Sequence, residues 1–437
     1  MLKVAKFGGS SVAGPQQFEK VKNIVDSDPS RRVVIVSAAG KRDKDDHKIT
    51  DLLYLCHAHL QYGVSCDDIV NTIENRFIDI KETLGLKYDV KKDFEALKSR
   101  LTKDMSVDEL VSRGEYFTAR LMAEYLGFQF VDAADCFLFG LDGQVDREKT
   151  DAAIKEALEK YKKILIPGFY GKLPTGRIKT MSRGGSDISG AIAAAAVDAD
   201  VYENWTDVSG ILMADPRIVD EPKSIAKLTY AELRELAFMG ASVLHEESIL
   251  PVKEKGIALN IRNTNDPQHP GTMIVESIEE QGAGEKPITG IAGRKNFSII
   301  TVCKRNININ ETLRQALDIF DRYKVNVEHI NLGLDSFAVV ASTTAMGDAV
   351  YDIASDIKKT CRPDRVYMQE GLALVAAVGR KMTFRPGTSG RLFKALGENG
   401  VNIRIIAQGA DELSIIVGVE NEQFETAIKV LYDGFTG

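Results

Sequence analysis

The chain has 437 residues, 44% of them hydrophobic, which is more than one core usually supports, so two or three domains are expected. A net charge of −7, from 56 Lys and Arg dispersed among 63 Asp and Glu, leaves no footprint for a nucleic acid or an anionic membrane. Five scattered cysteines argue against a disulfide framework or a zinc site, and no apolar run approaches the roughly 18 residues of a membrane span.

The first residues read as a strand, with no signal-peptide pattern, so a soluble protein of a reducing cytoplasm is expected. VAKFGGSSV at 4–12 runs from that strand into a lysine, a Gly-Gly pair and two hydroxyls, with a helix-like stretch following. The composition suits a phosphate, but Lys6 precedes the glycines, whereas a Walker-type lysine follows them. Further strands are expected at 32–37, 128–132, 164–167, 200–204 and 259–262, with helices between them. Such alternation predicts an α/β layer fold whose strand ends carry the ligand loops.

In SRGEYFTARLM (112–122), Ser112 is placed to cap a helix with Glu115 three residues on, so Glu115 taken singly reads as a capping-box residue. KTMSRGGSDISGAIAAAAV (179–197) puts a glycine-rich loop before an alanine-rich helix whose free N–H groups attract anions. An ordinary capped turn describes the same string. In NWTDVSGILMADPR (204–217), Thr206 and Asp207 suit a base, a ribose or a metal, and Arg217 suits a phosphate; turn chemistry is the alternative. The lone Trp205 reads as core. No histidine has metal-ligand spacing, so no protein metal site is expected, and any metal would be Mg²⁺ held by phosphates and carboxylates.

The charged, glycine-containing stretch 278–290 reads as a linker. Beyond it the chain repeats itself with an offset of 76 residues: VNVEHINLGLDSFAVV (325–340) lies over VNIRIIAQGADELSII (401–416). Each unit reads strand, helix, strand, strand, helix, a ferredoxin-like βαββαβ pattern, and two copies imply a paired regulatory or dimerisation module.

K-F-G-G-S-S-V at 6–12, S-R-G-G-S-D at 182–187, W-T-D-V-x-G at 205–210, D-P-R at 215–217 and V-L-H at 243–245, in this order, resemble the aspartate kinases of the amino acid kinase family. The doubled repeat resembles their tandem ACT domains. The resemblance implies an amino acid kinase (carbamate kinase-like) three-layer αβα sandwich over 1–277, a linker over 278–290, and ACT domains over 291–365 and 366–437, with the alternative that the first also takes in the end of the chain. It also implies ATP with Mg²⁺, transfer of the γ-phosphoryl group to the side-chain carboxylate of L-aspartate, an amino-acid effector such as lysine or threonine, and a homodimer or dimer of dimers.

Carried over residue by residue, the resemblance makes Lys6 the stabiliser of the transferring phosphoryl and Asp187 the organiser of Lys6. Phe7, Gly8, Gly9 and Ser10 would lie along the phosphates. Arg183 would clamp the aspartate α-carboxylate and Glu115 its α-ammonium, with Thr50, Phe169 and Ser186 completing that pocket. Thr206, Asp207, Leu212, Arg217 and Ser242 would hold ATP, Ser242 standing where many relatives have a lysine. Asn326, Val327 and Glu328 would meet the effector. The charged loop KRDKDDHK before Thr50 reads as a mobile, solvated flap. No G-x-G-x-x-G is present, so a monofunctional enzyme is expected. The alternatives are another acceptor on the same fold (glutamate, acetylglutamate or a nucleoside monophosphate), or an amino-acid sensor with an impaired kinase domain, which Ser242 alone favours.

Overall fold

The computed structural model describes residues 1–182, 184–241, 244, 246–278, 288–305, 309–380, 382, 385–409 and 411–436. In chain order it begins with β1 (Lys3–Phe7), α1 (Pro15–Asp26), β2 (Arg31–Val36), α2 (Ile49–Tyr62), α3 (Asp67–Thr83), α4 (Val90–Lys98), α5 (Val107–Val111) and α6 (Arg113–Leu126). It continues with β3 (Gln129–Phe130), α7 (Ala133–Cys136), α8 (Arg147–Tyr161), β4 (Ile164–Pro167), β5 (Tyr170–Lys172), β6 (Ile178–Thr180), α9 (Gly185–Ala196) and β7 (Val201–Thr206). Then come β8 (Lys227–Thr229), α10 (Tyr230–Phe238), α11 (Glu246–Glu254), β9 (Ala258–Asn263) and β10 (Thr272–Val275). The expected strand at 128–132 shortens to two residues for local reasons. Gly127, left-handed at φ +68°, ends α6 just before it, and the Asp132 side chain caps α7 just after it.

Two compact units emerge, Met1–Ile211 with Ser224–Tyr230 and Val243–Glu279, and Leu212–Lys223 with Ala231–Ser242 and Glu280–Gly437. In the first, eight strands follow the order β3-β4-β2-β1-β7-β9-β10-β8. The pairs among β4, β2, β1, β7 and β9 are all parallel. Alternation along the strands divides the side chains between two helical layers. Ala5, Phe7 and Trp205 join the core formed with Phe18 and Val21 of α1, Phe77 of α3 and Phe117 of α6. Residues of the opposite parity face α9, whose Ala191 and Ala193–Ala196 are fully buried, small side chains that let the helix sit close to the sheet. This is the expected three-layer αβα arrangement.

The second unit holds β11 (Gly290–Cys303), α12 (Ile309–Arg322), β12 (Val327–Leu332), β13 (Ser336–Ser342), α13 (Thr343–Met346), α14 (Val350–Cys361), β14 (Arg365–Val378), α15 (Thr388–Glu398), β15 (Ile405–Gln408), β16 (Ser414–Glu420) and α16 (Phe424–Thr436). Its sheet is antiparallel in the order β12-β13-β11-β14-β16-β15. The repeat is there with a twist in the accounting. β11 and β14 are each long enough to serve both copies, so 290–294 pairs beside the second repeat's strand while 365–369 pairs beside the first's. Gly290, placed in the linker by its sequence, is therefore already sheet, and 279–287 lie outside the described residues. Ile319 and Phe320 of α12 pack with Ile353 and Ile357 of α14 over Ile300, Val339 and Phe337 to fill the first repeat. The segment Leu212–Lys223 is tied into this unit: Ile291 donates to the Met213 carbonyl at 2.7 Å and the Lys223 N–H to the Tyr432 hydroxyl at 2.9 Å.

Candidate functional site

The parallel strands β2 and β7 flank β1, and the sheet order runs away from β1 in opposite directions on its two sides, which places a ligand crevice at the carboxyl ends of β1 and β7. Lys6 and Asn204 are register partners there, so both side chains leave the same face of the sheet. Both are buried, an unusual placement for polar groups in central strands. α9 lies across that face, and the first turn of the helix supplies Asp187. Lys6 Nζ sits 2.6 Å from Asp187 Oδ1, and the Asn204 amide bridges the two, donating from Nδ2 to Asp187 Oδ1 at 2.9 Å and accepting from Lys6 Nζ at 3.3 Å.

Close backbone approaches set these positions. Gly184, left-handed at φ +81°, turns the chain into α9. An added Cβ at Gly190 would lie 2.3 Å from the Tyr202 hydroxyl oxygen, so only glycine lets α9 rest on β7 at this height. That hydroxyl donates in turn to the Asp187 carbonyl at 3.2 Å. After β4, Gly168 packs on Ser186, and Gly185 packs on the Phe169 ring. Phe169 holds a positive φ of 76°, strained for a bulky residue, and is kept there by its N–H donating to Ser189 Oγ at 2.9 Å and by its carbonyl accepting from Met181 N–H at 2.7 Å. Phe169, Ser186, Asp187 and Lys6 are thus brought together. Arg183 lies outside the described residues.

On the glycine loop, Gly9 meets the backbone of Ala38 and Gly40 so closely that a Cβ would come within 2.9 Å of the Ala38 carbonyl oxygen. The Gly8 N–H is already committed to the Trp205 carbonyl at 3.0 Å, so the free donors of this turn are those of Gly9 and Ser10, at the start of a short 3₁₀ helix. The Phe7 side chain is in the core, stacked on Trp205 with centroids 6.0 Å apart, which leaves only its backbone to face the crevice. Trp205 is core, as its sequence context suggested.

Glu115 departs from the capping-box reading. α5 runs directly into α6, so Ser112 is itself helical and its hydroxyl donates back to the Glu109 carbonyl at 2.7 Å; Ser106 caps α5 instead. The Glu115 side chain turns inward, only 4% of the residue is exposed, and its Oε2 has no hydrogen-bond partner among the described residues. Burial raises its pKa from 4.5 to about 8, against the opposing pull of the Ala38 backbone N–H and of Arg113. Gly114, next to it, lets α6 approach Ala38, Ile49 and Leu53, which brings the start of α2, with Thr50, against the start of α6. The structure thus holds a buried ammonium at β1 and, beyond β2, a buried carboxyl with one oxygen unpartnered among the described residues.

Thr206 and Asp207 close β7 at the surface, the Thr206 hydroxyl donating to Asp207 Oδ1 at 3.2 Å. Leu212 and Arg217 belong to the second unit, where Arg217 is an exposed residue paired with Asp215 at 2.6 Å. Ser242 lies outside the described residues. Also in the second unit, Asn326 is exposed, Val327 opens β12, and Glu328 is held by Arg294 at 2.7 Å. The loop before Thr50 is solvated at Lys41–Asp45, as expected, but both its ends are tied down by Arg76 of α3, which donates to the Gly40 and His47 carbonyls at 2.6 and 2.7 Å.

Asn204 and Arg76 carry no motif. The signal for Asn204 was a polar side chain inside an otherwise strand-like VYENWT; for Arg76 it was an arginine on the apolar stripe of α3. Among the described residues no three His, Cys, Asp or Glu side chains converge on a point.

Residues 1–263 match the amino acid kinase family and 375–435 match an ACT domain. Over 450 aligned residues the chain is 34% identical to aspartokinase 3 of Bacillus subtilis, covering 99% of this chain and 98% of that one. The crystal structure of Clostridium acetobutylicum aspartate kinase superposes with a TM-score of 0.91 at 45% identity over 100% of both chains. Escherichia coli aspartokinase III, 28% identical over 100% of both chains, superposes with TM-scores of 0.74 for its complex with aspartate and ADP and 0.75 for its complex with lysine and aspartate.

Proposed function

Because this chain belongs to the aspartokinase family, we propose that it transfers the γ-phosphoryl group of ATP to the side-chain carboxylate of L-aspartate, giving 4-phospho-L-aspartate and ADP. The observation that carries the reading is Glu115, a buried carboxyl with an oxygen unpartnered among the described residues, in the crevice that also holds the buried Lys6 ammonium. An acceptor with its own ammonium satisfies Glu115, and an anionic reacting group satisfies Lys6. Amino acids carry both charges. The E. coli relative in complex with aspartate and ADP supports the choice of acceptor and nucleotide.

In this reading Thr50, Glu115, Phe169, Arg183 and Ser186 bind aspartate, Glu115 taking the α-ammonium and Arg183 the α-carboxylate. The acceptor carboxylate is already ionised at neutral pH and needs no general base. Lys6, with Gly9 and Ser10 N–H groups beside it, stabilises the charge spread over the transferring phosphoryl, the chief demand of such a reaction. Asp187 holds Lys6 in place. Thr206, Asp207, Leu212, Arg217 and Ser242 hold the nucleotide, and Mg²⁺ carried on its phosphates would supply charge neutralisation there.

The repeats of the second unit carry feedback by an amino acid, lysine or threonine, at Asn326, Val327 and Glu328, in a homodimer or dimer of dimers. The lysine complex of the E. coli relative supports an amino-acid effector. A coupled ADP-release assay with aspartate, glutamate and UMP offered in parallel tests the acceptor. Turnover with aspartate alone is expected; none with aspartate would overturn the reading. Repeating the assay with lysine, threonine and both identifies the effector.

A further inference from the structure

Resting on the kinase reading above, we infer that Asn204 is a positioning residue for phosphoryl transfer, fixing the Lys6–Asp187 pair so that one N–H of the Lys6 ammonium faces the reacting phosphate. An ammonium has three N–H donors. One is taken by Asp187 Oδ1 at 2.6 Å and one by the Asn204 carbonyl oxygen at 3.3 Å. The remaining donor is aimed by the other two. Without the amide, Lys6 would be free to rotate about its link to Asp187, whose side chain is 24% exposed and able to swing towards solvent.

The amide suits the place because it has a donor for the carboxylate and an acceptor for the ammonium on one rigid plane. Its register with Lys6 on the adjacent strand makes the geometry a property of the sheet. Its neutrality matters equally. Lys6 and Asp187 balance one another, whereas a carboxylate at 204 would leave a net negative charge beside an incoming polyphosphate. A leucine at 204 would keep the shape but remove both hydrogen bonds. Buried polar groups at a strand centre ordinarily cost stability unless paired, and this one is paired only to members of the site.

Steady-state kinetics of the full chain and its Asn204→Leu and Asn204→Asp variants test this, alongside thermal unfolding. Both variants are expected to lose about 10- to 100-fold in kcat, as misplacement of a catalytic group does, while KM for aspartate and for ATP each stays within about threefold. Asn204→Asp, isosteric with the native residue, keeps the test valid if Asn204→Leu fails to fold. A folded Asn204→Asp variant with kcat within about twofold of the native chain would overturn the inference, as would a loss expressed in KM alone. A native chain inert towards aspartate would overturn the kinase reading and this inference with it. An active native chain with unaffected variants would overturn the inference alone.

Discussion

Arg76 of α3 reaches across to Gly40, donating to its carbonyl at 2.6 Å, and so joins the helical layer to the turn that touches the glycine loop. The same guanidinium donates to the His47 carbonyl and lies 3.4 Å from Asp46. Burial would raise the Asp46 pKa, but hydrogen bonds from Arg42 and the charge of Arg76 hold the carboxyl well below its usual range. Arg76→Ala removes the donor to the Gly40, His47 and Ala13 carbonyls and leaves Asp46 to Arg42 alone. It is expected to cost about 3 kcal/mol in urea denaturation and to raise KM for aspartate, because Thr50 follows directly from this loop. An unchanged unfolding midpoint would show that the loop does not depend on Arg76.

Glu115 makes stability depend on pH in a definite direction. The folded protein, with this pKa near 8, keeps a proton that the unfolded chain has released above about 4.5. The unfolded state thus binds fewer protons within that window, and the contribution is greatest at the acid end and declines as pH rises towards 8, by up to about 1.4 kcal/mol per unit. Glu115→Gln should flatten this part of the stability profile, measured by urea unfolding from pH 5 to 8. Parallel profiles would refute the assignment.

If aspartate docks its ammonium on Glu115 as proposed, the same group should link binding to proton release. An ammonium docked on Glu115 favours the ionised carboxylate, so binding at pH 7 should release a proton and tighten as pH approaches 8. Calorimetry in two buffers of different ionisation enthalpy reads the proton count. No buffer dependence in the native chain, or the same dependence in Glu115→Gln, would contradict it.

Gly190→Ala should separate α9 from β7. Its methyl group would lie 2.3 Å from the Tyr202 oxygen and 2.7 Å from Cζ, so the helix must move, carrying Asp187 away from Lys6. A loss of about 1–3 kcal/mol is expected, with a fall in kcat of about tenfold or more. Native kinetics with lowered stability would mean that the site tolerates the shift.

Glu203 points to the other face of β7, where Arg31 grips it at 2.7 and 3.1 Å and Trp205 Nε1 donates to it at 2.9 Å. Burial opposes its ionisation, yet these donors keep it an anion. Glu203→Ala leaves Arg31 buried without its carboxylate and should cost about 3–5 kcal/mol by denaturant unfolding. A loss below about 1 kcal/mol would show that Arg31 finds new partners.

The legible part of this protein was local. Alternating apolar strands and helices announced a layered α/β unit, the repeat announced its second half, and the order of the glycine-rich motifs pointed to Lys6, Ser186 and Asp187. Those features are contained in neighbouring residues, so period and turn chemistry suffice to find them. From its local sequence alone Glu115 read as the capping-box partner of Ser112, because whether Ser112 is free to cap depends on α5 abutting α6.

Strand sharing between β11 and β14 was likewise invisible, since pairing partners 62 to 88 residues apart, as from Cys303–Arg365 to Gly290–Val378, leave no mark on the local pattern. Asn204 illustrates the boundary most sharply. By order along the chain it is one polar residue in a strand; by sheet register it stands beside Lys6, 198 residues away, and by helix packing it meets Asp187. The amino-acid order by itself determined the two fold types and the positions of the glycine-rich loops. Only tertiary structure decided which charges are buried and which amide stands between Lys6 and Asp187, because desolvation and hydrogen-bond geometry arise where distant segments pack.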